Sequence, residues 1–151
     1  MKATEMLKRQ HRQVKSLFKQ VEKTEAAGER RRLMDEIGKR LQIHTTIEEE
    51  IFYPAVRGLG TRKAEEMIDE ALEEHHVVDL VLHELPTIDP GDDRFAAKMT
   101  VLAELVEHHV EEEESEMFKV AQKLGDELTD LSERMEARQS ELEARGGRRA
   151  A

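Results

Sequence analysis

Four of the seven histidines in this chain, His11, His44, His75 and His109, fall on the apolar stripes of four successive amphipathic segments. Two of them are followed four residues later by a glutamate, Glu48 after His44 and Glu113 after His109. At 3.6 residues per turn, each His-x-x-x-Glu pair lies on one helical face. Imidazole nitrogens and carboxylate oxygens ligate first-row metal ions, and a carboxylate can span two ions while offsetting their charge. If the four faces converge inside a bundle, they form a donor set for two transition-metal ions. A lone inward histidine is ordinarily a hydrogen-bonded core residue. Six such polar groups buried without a cation would mostly go unsatisfied, at about 1–3 kcal/mol each.

Positioning these residues takes four helices. Leu7, His11, Val14, Phe18 and Val21 predict a first helix over roughly 3–26, and Ile37, Leu41, His44, Glu48 and Ile51 a second over roughly 29–56, closed by Pro54, Gly58 and Gly60. A third, over roughly 61–85, follows the cap residue Thr61, carries Ile68, Leu72, His75, Asp79 and Leu82, and stops at the breaker stretch Pro86 to Asp93. The fourth, over roughly 94–124, carries Leu102, Val106, His109, Glu113, Met117 and Val120 and closes at Gly125. The fold class expected is all-α, an up-down-up-down four-helix bundle over residues 1–125.

Residues 126–151 form a separate C-terminal unit in this scheme, an amphipathic helix with Leu128, Leu131, Met135 and Leu142 on one stripe and no ligand-type residue. That stripe either docks across the bundle or meets a second copy or another protein. Gly146 to Ala151 are expected to fray. The two halves of the bundle also resemble each other: His11 and His75 are 64 positions apart, His44 and His109 65, and Gln10-His11-x-x-Val14 matches Glu74-His75-x-x-Val78. The pattern is that of a helical hairpin used twice.

Composition narrows the function further. With 38% charged residues, 3% aromatics and no Trp, this is the make-up of long solvent-exposed helices. A net charge of -10 argues against a nucleic-acid partner, since phosphate binding draws on a basic surface. The arginine clusters Arg30 to Arg32 and Arg148 to Arg149 are too short to change that. The absence of cysteine removes disulfides, thiolate zinc sites, iron–sulfur ligation and thiol redox chemistry together. The start, Met1-Lys-Ala-Thr-Glu5, has no apolar signal region, and no run approaches a membrane span, so a cytoplasmic protein without membrane contact is expected.

Two doublets leave a choice of ligand. The apolar stripe and the internal repeat select His75 over His76, and the stripe through Leu102, Val106 and Met117 selects His109 over His108. The runs Glu48 to Glu50 and Glu111 to Glu114 cannot lie wholly inside, because neighbouring positions diverge by about 100°. Glu114 competes with Glu113 as a ligand, and Glu49 or Glu112 is placed to orient an imidazole N–H. His76, His83 and His108 are expected on solvated or boundary faces.

Gln10-His11, His44-Thr-Thr-Ile-Glu48-Glu-Glu-Ile-Phe52-Tyr-Pro54, Glu74-His75 and His109-Val-Glu-Glu-Glu113 together resemble the hemerythrin-like, or HHE cation-binding, domain family over about residues 5–124. The resemblance implies a non-haem di-iron centre, oxo- or hydroxo-bridged, with His11, His44, Glu48, His75, His109 and Glu113 as ligands. Oxygen-carrying members of that family have a further histidine one turn after the third-helix ligand, where this chain has Asp79. A centre reacting with peroxide, dioxygen or nitric oxide is therefore expected ahead of a reversible carrier. Ferritin-type bundles use Glu-x-x-His on paired helices; here Glu73-x-x-His76 lies off the inward stripe and has no mate.

The most concrete activity expected is peroxide disproportionation, with Asp79 shuttling protons or completing a coordination sphere. The alternative is a non-enzymatic oxygen, nitric oxide or iron sensor or store that acts through a protein partner on the C-terminal helix. A purely structural bundle holding zinc is a third.

Overall fold

The computed structural model describes residues 1–147, and every regular element among them is helical. The first rod, α1 (Ala3–Glu22), buries Ala3, Met6, Leu7, His11, Val14, Phe18 and Val21, from Leu7 onward at steps of four and three. Its opening turn is tied by the Lys2 N–H, which donates to Glu5 Oε2 at 3.1 Å. The second rod is α2 (Ala27–Ile47), then a π turn (Glu48–Phe52), then α3 (Tyr53–Arg57). The third, α4 (Arg62–Glu84), begins under Thr61, whose hydroxyl accepts from the Ala64 N–H at 3.1 Å.

The fourth rod repeats the form of the second: α5 (Asp93–Glu112), a π turn (Glu113–Met117) and α6 (Phe118–Ala121). Asp92 caps it, its carboxylate accepting from the Arg94 N–H at 2.8 Å. The two π turns are not part of the uninterrupted helices expected over 29–56 and 94–124. Each starts at a glutamate on the inward stripe, and each is closed by an i to i+5 bond, from Tyr53 N–H to Glu48 O and from Phe118 N–H to Glu113 O.

The rods form the expected four-helix bundle, with α1 against α2, α4 against α5, α1 against α5 and α3 against α4. Two apolar clusters fill it. One joins Met6, Leu7, Ile47, Phe52, Ile68 and Phe118; the other joins Val14, Phe18, Ile37, Leu82, Phe95 and Leu102. Along α1 and α4 the chain passes from one cluster through a buried histidine to the other: Leu7, His11, Val14 on α1, and Ala71, His75, Val78 on α4. The polar layer is therefore enclosed along the bundle axis by apolar side chains, each fully buried one contributing about 1.5–3 kcal/mol.

Gly125, with φ at +58°, turns the chain into α7 (Glu127–Ala144). Leu128, Leu131, Met135 and Leu142 are at most 2% exposed and belong to the same cluster as Leu7 and Ile47. Of the two placements open to this stripe, the chain adopts docking, on α1 and α2, so the stripe is not a surface for a second copy or another protein. At Gly146 and Gly147, where fraying is expected, the helix end is hydrogen-bonded. Gly147 N–H reaches Leu142 O at 2.7 Å and Gly146 N–H reaches Glu143 O at 3.0 Å, a Schellman closure at left-handed glycines that packs Gly147 against Lys39. The rest of that expectation, over 148–151, lies outside the described residues. No helix among the described residues is long and apolar enough to cross a membrane.

Candidate metal centre

All six residues expected to face inward do so: His11, His44, His75 and His109 are 3–7% exposed, and Glu48 and Glu113 at most 2%. Their donor atoms gather in two groups, His11, His44, Glu48 and Glu113 in one, Glu48, His75, His109 and Glu113 in the other. Both glutamates belong to both groups. Glu113 Oε1 lies 3.3 Å from His11 Nε2 and its Oε2 lies 3.0 Å from His109 Nε2. Glu48 Oε1 lies 3.2 Å from His44 Nε2 and 3.1 Å from His75 Nε2.

Each histidine points Nε2 inward because Nδ1 is held from behind. Gln10 Oε1 takes His44 Nδ1 at 2.6 Å, Glu49 Oε2 takes His75 at 2.8 Å, Glu74 Oε1 takes His109 at 2.7 Å and Glu114 Oε2 takes His11 at 2.8 Å. The four bonds run in a circuit, α1 to α2, the first π turn to α4, α4 to α5, and the second π turn back to α1. Every orienting residue is the sequence neighbour of an inward ligand-type residue, about 100° around the helix and so aimed at the adjacent rod. Glu49 was expected in this role and Glu112 is not used in it. Glu114, considered as a ligand, is instead an orienting group, and Gln10 and Glu74 were missed although a Gln/Glu-His pair occurs in both halves.

Tyr53 was also missed. Its hydroxyl donates to Glu113 Oε2 at 2.6 Å and lies 3.2 Å from Glu48 Oε1, 3.1 Å from His75 Nε2 and 3.3 Å from His109 Nε2. In a regular α-helix a residue five positions after Glu48 points about 140° away from it. The π turn brings that residue back under the glutamate, so the 3.6-residue period hides it.

The donor arrangement fits cations. Glu74 and Glu49 can only accept from Nδ1, so neutral His75 and His109 turn Nε2 lone pairs toward each other at 3.3 Å; His11 and His44 face each other likewise at 3.2 Å. Such pairs repel unless a proton or a cation lies between them. Glu48 Oε2 and Glu113 Oε1 are buried without a hydrogen bond, and the 3.3 Å approach of His11 to Glu113 Oε1 lacks hydrogen-bond geometry.

The electrostatics agree. Burial opposes charge on His11, but Glu113 and Glu114 outweigh it and lift the pKa to about 9. Burial likewise opposes charge on His75, and Glu48 and Glu49 carry it to about 9. His109 is raised despite its burial, by Glu113, Glu48 and Glu74. Glu48 is held well below the usual carboxylate range: burial pushes it up, and His44 and the other hydrogen-bonding groups more than reverse that. Positive charge is favoured here, and protons carried by the imidazoles are what a cation displaces.

Asp79 lies half-buried one turn after His75 and in neither group. Its carbonyl accepts from His83 Nδ1 at 2.7 Å. His76 and His83 are exposed, and the His108 side chain is 65% exposed, as expected.

The family model of the hemerythrin HHE cation-binding domain matches residues 2–121. The chain belongs to this family. A solved hemerythrin HHE cation-binding domain-containing protein from Mycobacterium kansasii is 28% identical, with a TM-score of 0.82, over 93% of this chain and 86% of that one. A protein of Nostoc sp. (strain PCC 7120 / SAG 25.82 / UTEX 2576) described as a DNA nickase is 29% identical over 119 residues, which are 78% of this HHE chain. The match spans only 33% of that relative's length. As an HHE domain the chain is a metal-binding four-helix bundle, and the two His/Glu groups are donor sets that could hold a metal ion.

Proposed function

We propose that this HHE domain holds two iron ions, one in each His/His/Glu/Glu group, and that it reacts with a small oxidant, most concretely by disproportionating peroxide. The observation that carries the two-ion reading is the sharing of Glu48 and Glu113 between both groups, each with one buried oxygen lacking a hydrogen bond. An all-nitrogen-and-oxygen donor set with a phenol beside it suits iron. A bound iron pair would supply electrons two at a time.

The disproportionation is neutral in electrons and protons overall. One peroxide takes two electrons and two protons and becomes two waters; a second releases the same number and becomes dioxygen. The chain must therefore hold protons between the two halves of the reaction. Tyr53 O–H, 2.6 Å from Glu113 Oε2, touches the ligand atoms and can relay one of these protons at a time, the other exchanging with bulk water. Burial beside Glu113 and Glu48 raises the phenol pKa and keeps it protonated at rest, and we assign it the proton role first considered for Asp79. The substrate route is the cleft of about 750 Å³ between α1 and α5, which ends on His11 and Glu114. At that end Phe118, not a phenol, stacks on His11, leaving the His11/His44 side the less crowded with donors.

The rival reading, a sensor or store acting through a partner on the C-terminal helix, relied on an exposed stripe that is packed into the core. Nicking activity is not carried over from the Nostoc relative, because a chain of net charge -10 opposes phosphate contact. The test is oxygen evolution on adding hydrogen peroxide to the iron-loaded protein, with His109→Ala as the control. Loaded protein that evolves no more oxygen than this control would remove peroxide as the substrate.

A further inference from the structure

Three of the four inward histidines are oriented by carboxylates, which can only accept, so their Nδ1 carries the proton and Nε2 is free to ligate. His44 alone is oriented by an amide, Gln10. An amide is ambivalent. With its oxygen toward His44 it selects the same tautomer; turned over, it offers N–H to Nδ1, and the proton of a neutral His44 then sits on Nε2, where it blocks ligation.

The orientation of that amide is decided on α7. Gln10 Nε2 donates to Gln139 Oε1 at 3.2 Å, and Gln139 Nε2 donates to Glu143 Oε1 at 2.9 Å. Ionised Glu143 can only accept. It draws the Gln139 amide nitrogen toward itself, which leaves the Gln139 oxygen for Gln10 N–H and the Gln10 oxygen for His44 Nδ1–H. Each step fixes the direction of the next.

We propose that Gln139 is a positioning residue that sets the His44 tautomer through Gln10, so that the C-terminal helix prepares the His11/His44 group for its cation. The His75/His109 group, oriented by Glu49 and Glu74, has no such dependence. The ligation half of this proposal rests on the two-ion reading above; the tautomer half applies to the metal-free chain on its own.

Two substitutions separate acceptor from donor at one position. Gln139→Glu keeps an acceptor facing Gln10, whereas Gln139→Lys offers only donors and should turn the Gln10 amide over. Nitrogen-15 NMR of the metal-free protein, at a pH where His44 is neutral, should find Nδ1–H on His44 in the wild type and Gln139→Glu and Nε2–H in Gln139→Lys. Cobalt(II) titration of the same samples should show one of two binding events weakened by about ten- to a hundred-fold in Gln139→Lys alone. Adding Gln10→Glu, which can only accept, should restore both readouts.

If Gln139→Lys fails to fold, Gln139→Leu replaces it and should give His44 as a mixture of tautomers. An unchanged His44 tautomer in whichever of these two variants folds overturns the proposal, as does a loss that Gln10→Glu does not repair. Wild-type protein that binds no cobalt would count against the two-ion reading and leave the tautomer test in force.

Discussion

Tyr53 and Phe118 occupy equivalent places in the two halves of the bundle. Each stands five residues after a shared glutamate, at the end of a π turn, and each stacks on an inward histidine: Tyr53 on His75 with ring centroids 5.3 Å apart, Phe118 on His11 at 6.0 Å. Only one of the pair carries a hydroxyl. Together with Gln10 standing where the second half has Glu74, this makes the two His/Glu groups chemically unequal within a repeated frame.

Tyr53→Phe removes the hydroxyl difference between the halves and tests its contribution to that inequality. The aromatic packing is kept, so the fold and both cations should be retained, while peroxide turnover falls by about a hundred-fold, the size of a lost proton-transfer group. Metal content and oxygen evolution measured on one preparation check this. Metal loss as severe as that of a ligand variant would make Tyr53 part of the holding set and not a proton carrier.

Ligand assignment is tested by alanine substitution. His44→Ala and His109→Ala should each release metal and lower the thermal midpoint, since the buried glutamates lose their partners. His83→Ala, an exposed residue whose Nδ1 bonds to the Asp79 carbonyl, should do neither. Equal metal loss in all three would refute the inward faces.

The metal-free chain should respond to pH in a defined direction. His11 and His75 rise from 6.5 to about 9 in the folded state, so their stabilisation is complete below pH 6.5 and is lost as pH climbs through 9. Glu48 and Glu114 are lowered from 4.5, so their contribution is present above that value and is lost as acid protonates them. Urea midpoints in the presence of chelator should therefore be higher at pH 6 than at pH 9.5. Bound cations replace the protons on the imidazoles, and the loaded protein should lose that alkaline decline.

The bundle and its six inward residues were legible in the sequence because His11, His44, Glu48, His75, His109 and Glu113 keep to the 3.6-residue stripe that also carries the core. Tyr53 breaks that period, and only the π turn restores it to the interior. Gln10, Glu74 and Glu114 were hidden for a different reason: residues beside a stripe look solvated until the neighbouring helix is in place. The docking of α7 turned on whether the bundle had an apolar face left to cover, which helix periodicity does not record.

That docking carries its own prediction. Met135 is fully buried in the cluster shared by α1, α2 and α7, so Met135→Ala should cost about 2–5 kcal/mol of unfolding free energy. Urea denaturation followed by circular dichroism reads it. A change below about 0.5 kcal/mol would mean that α7 is not part of the folded core.

The central claim is a two-ion centre, and the most direct measurement is metal content per chain by elemental analysis of protein produced with ample iron and purified without chelators or a histidine tag. Close to two irons per chain is the result expected from the shared glutamates. No iron, or a single zinc, would contradict it and leave the four histidines as parts of a structural site.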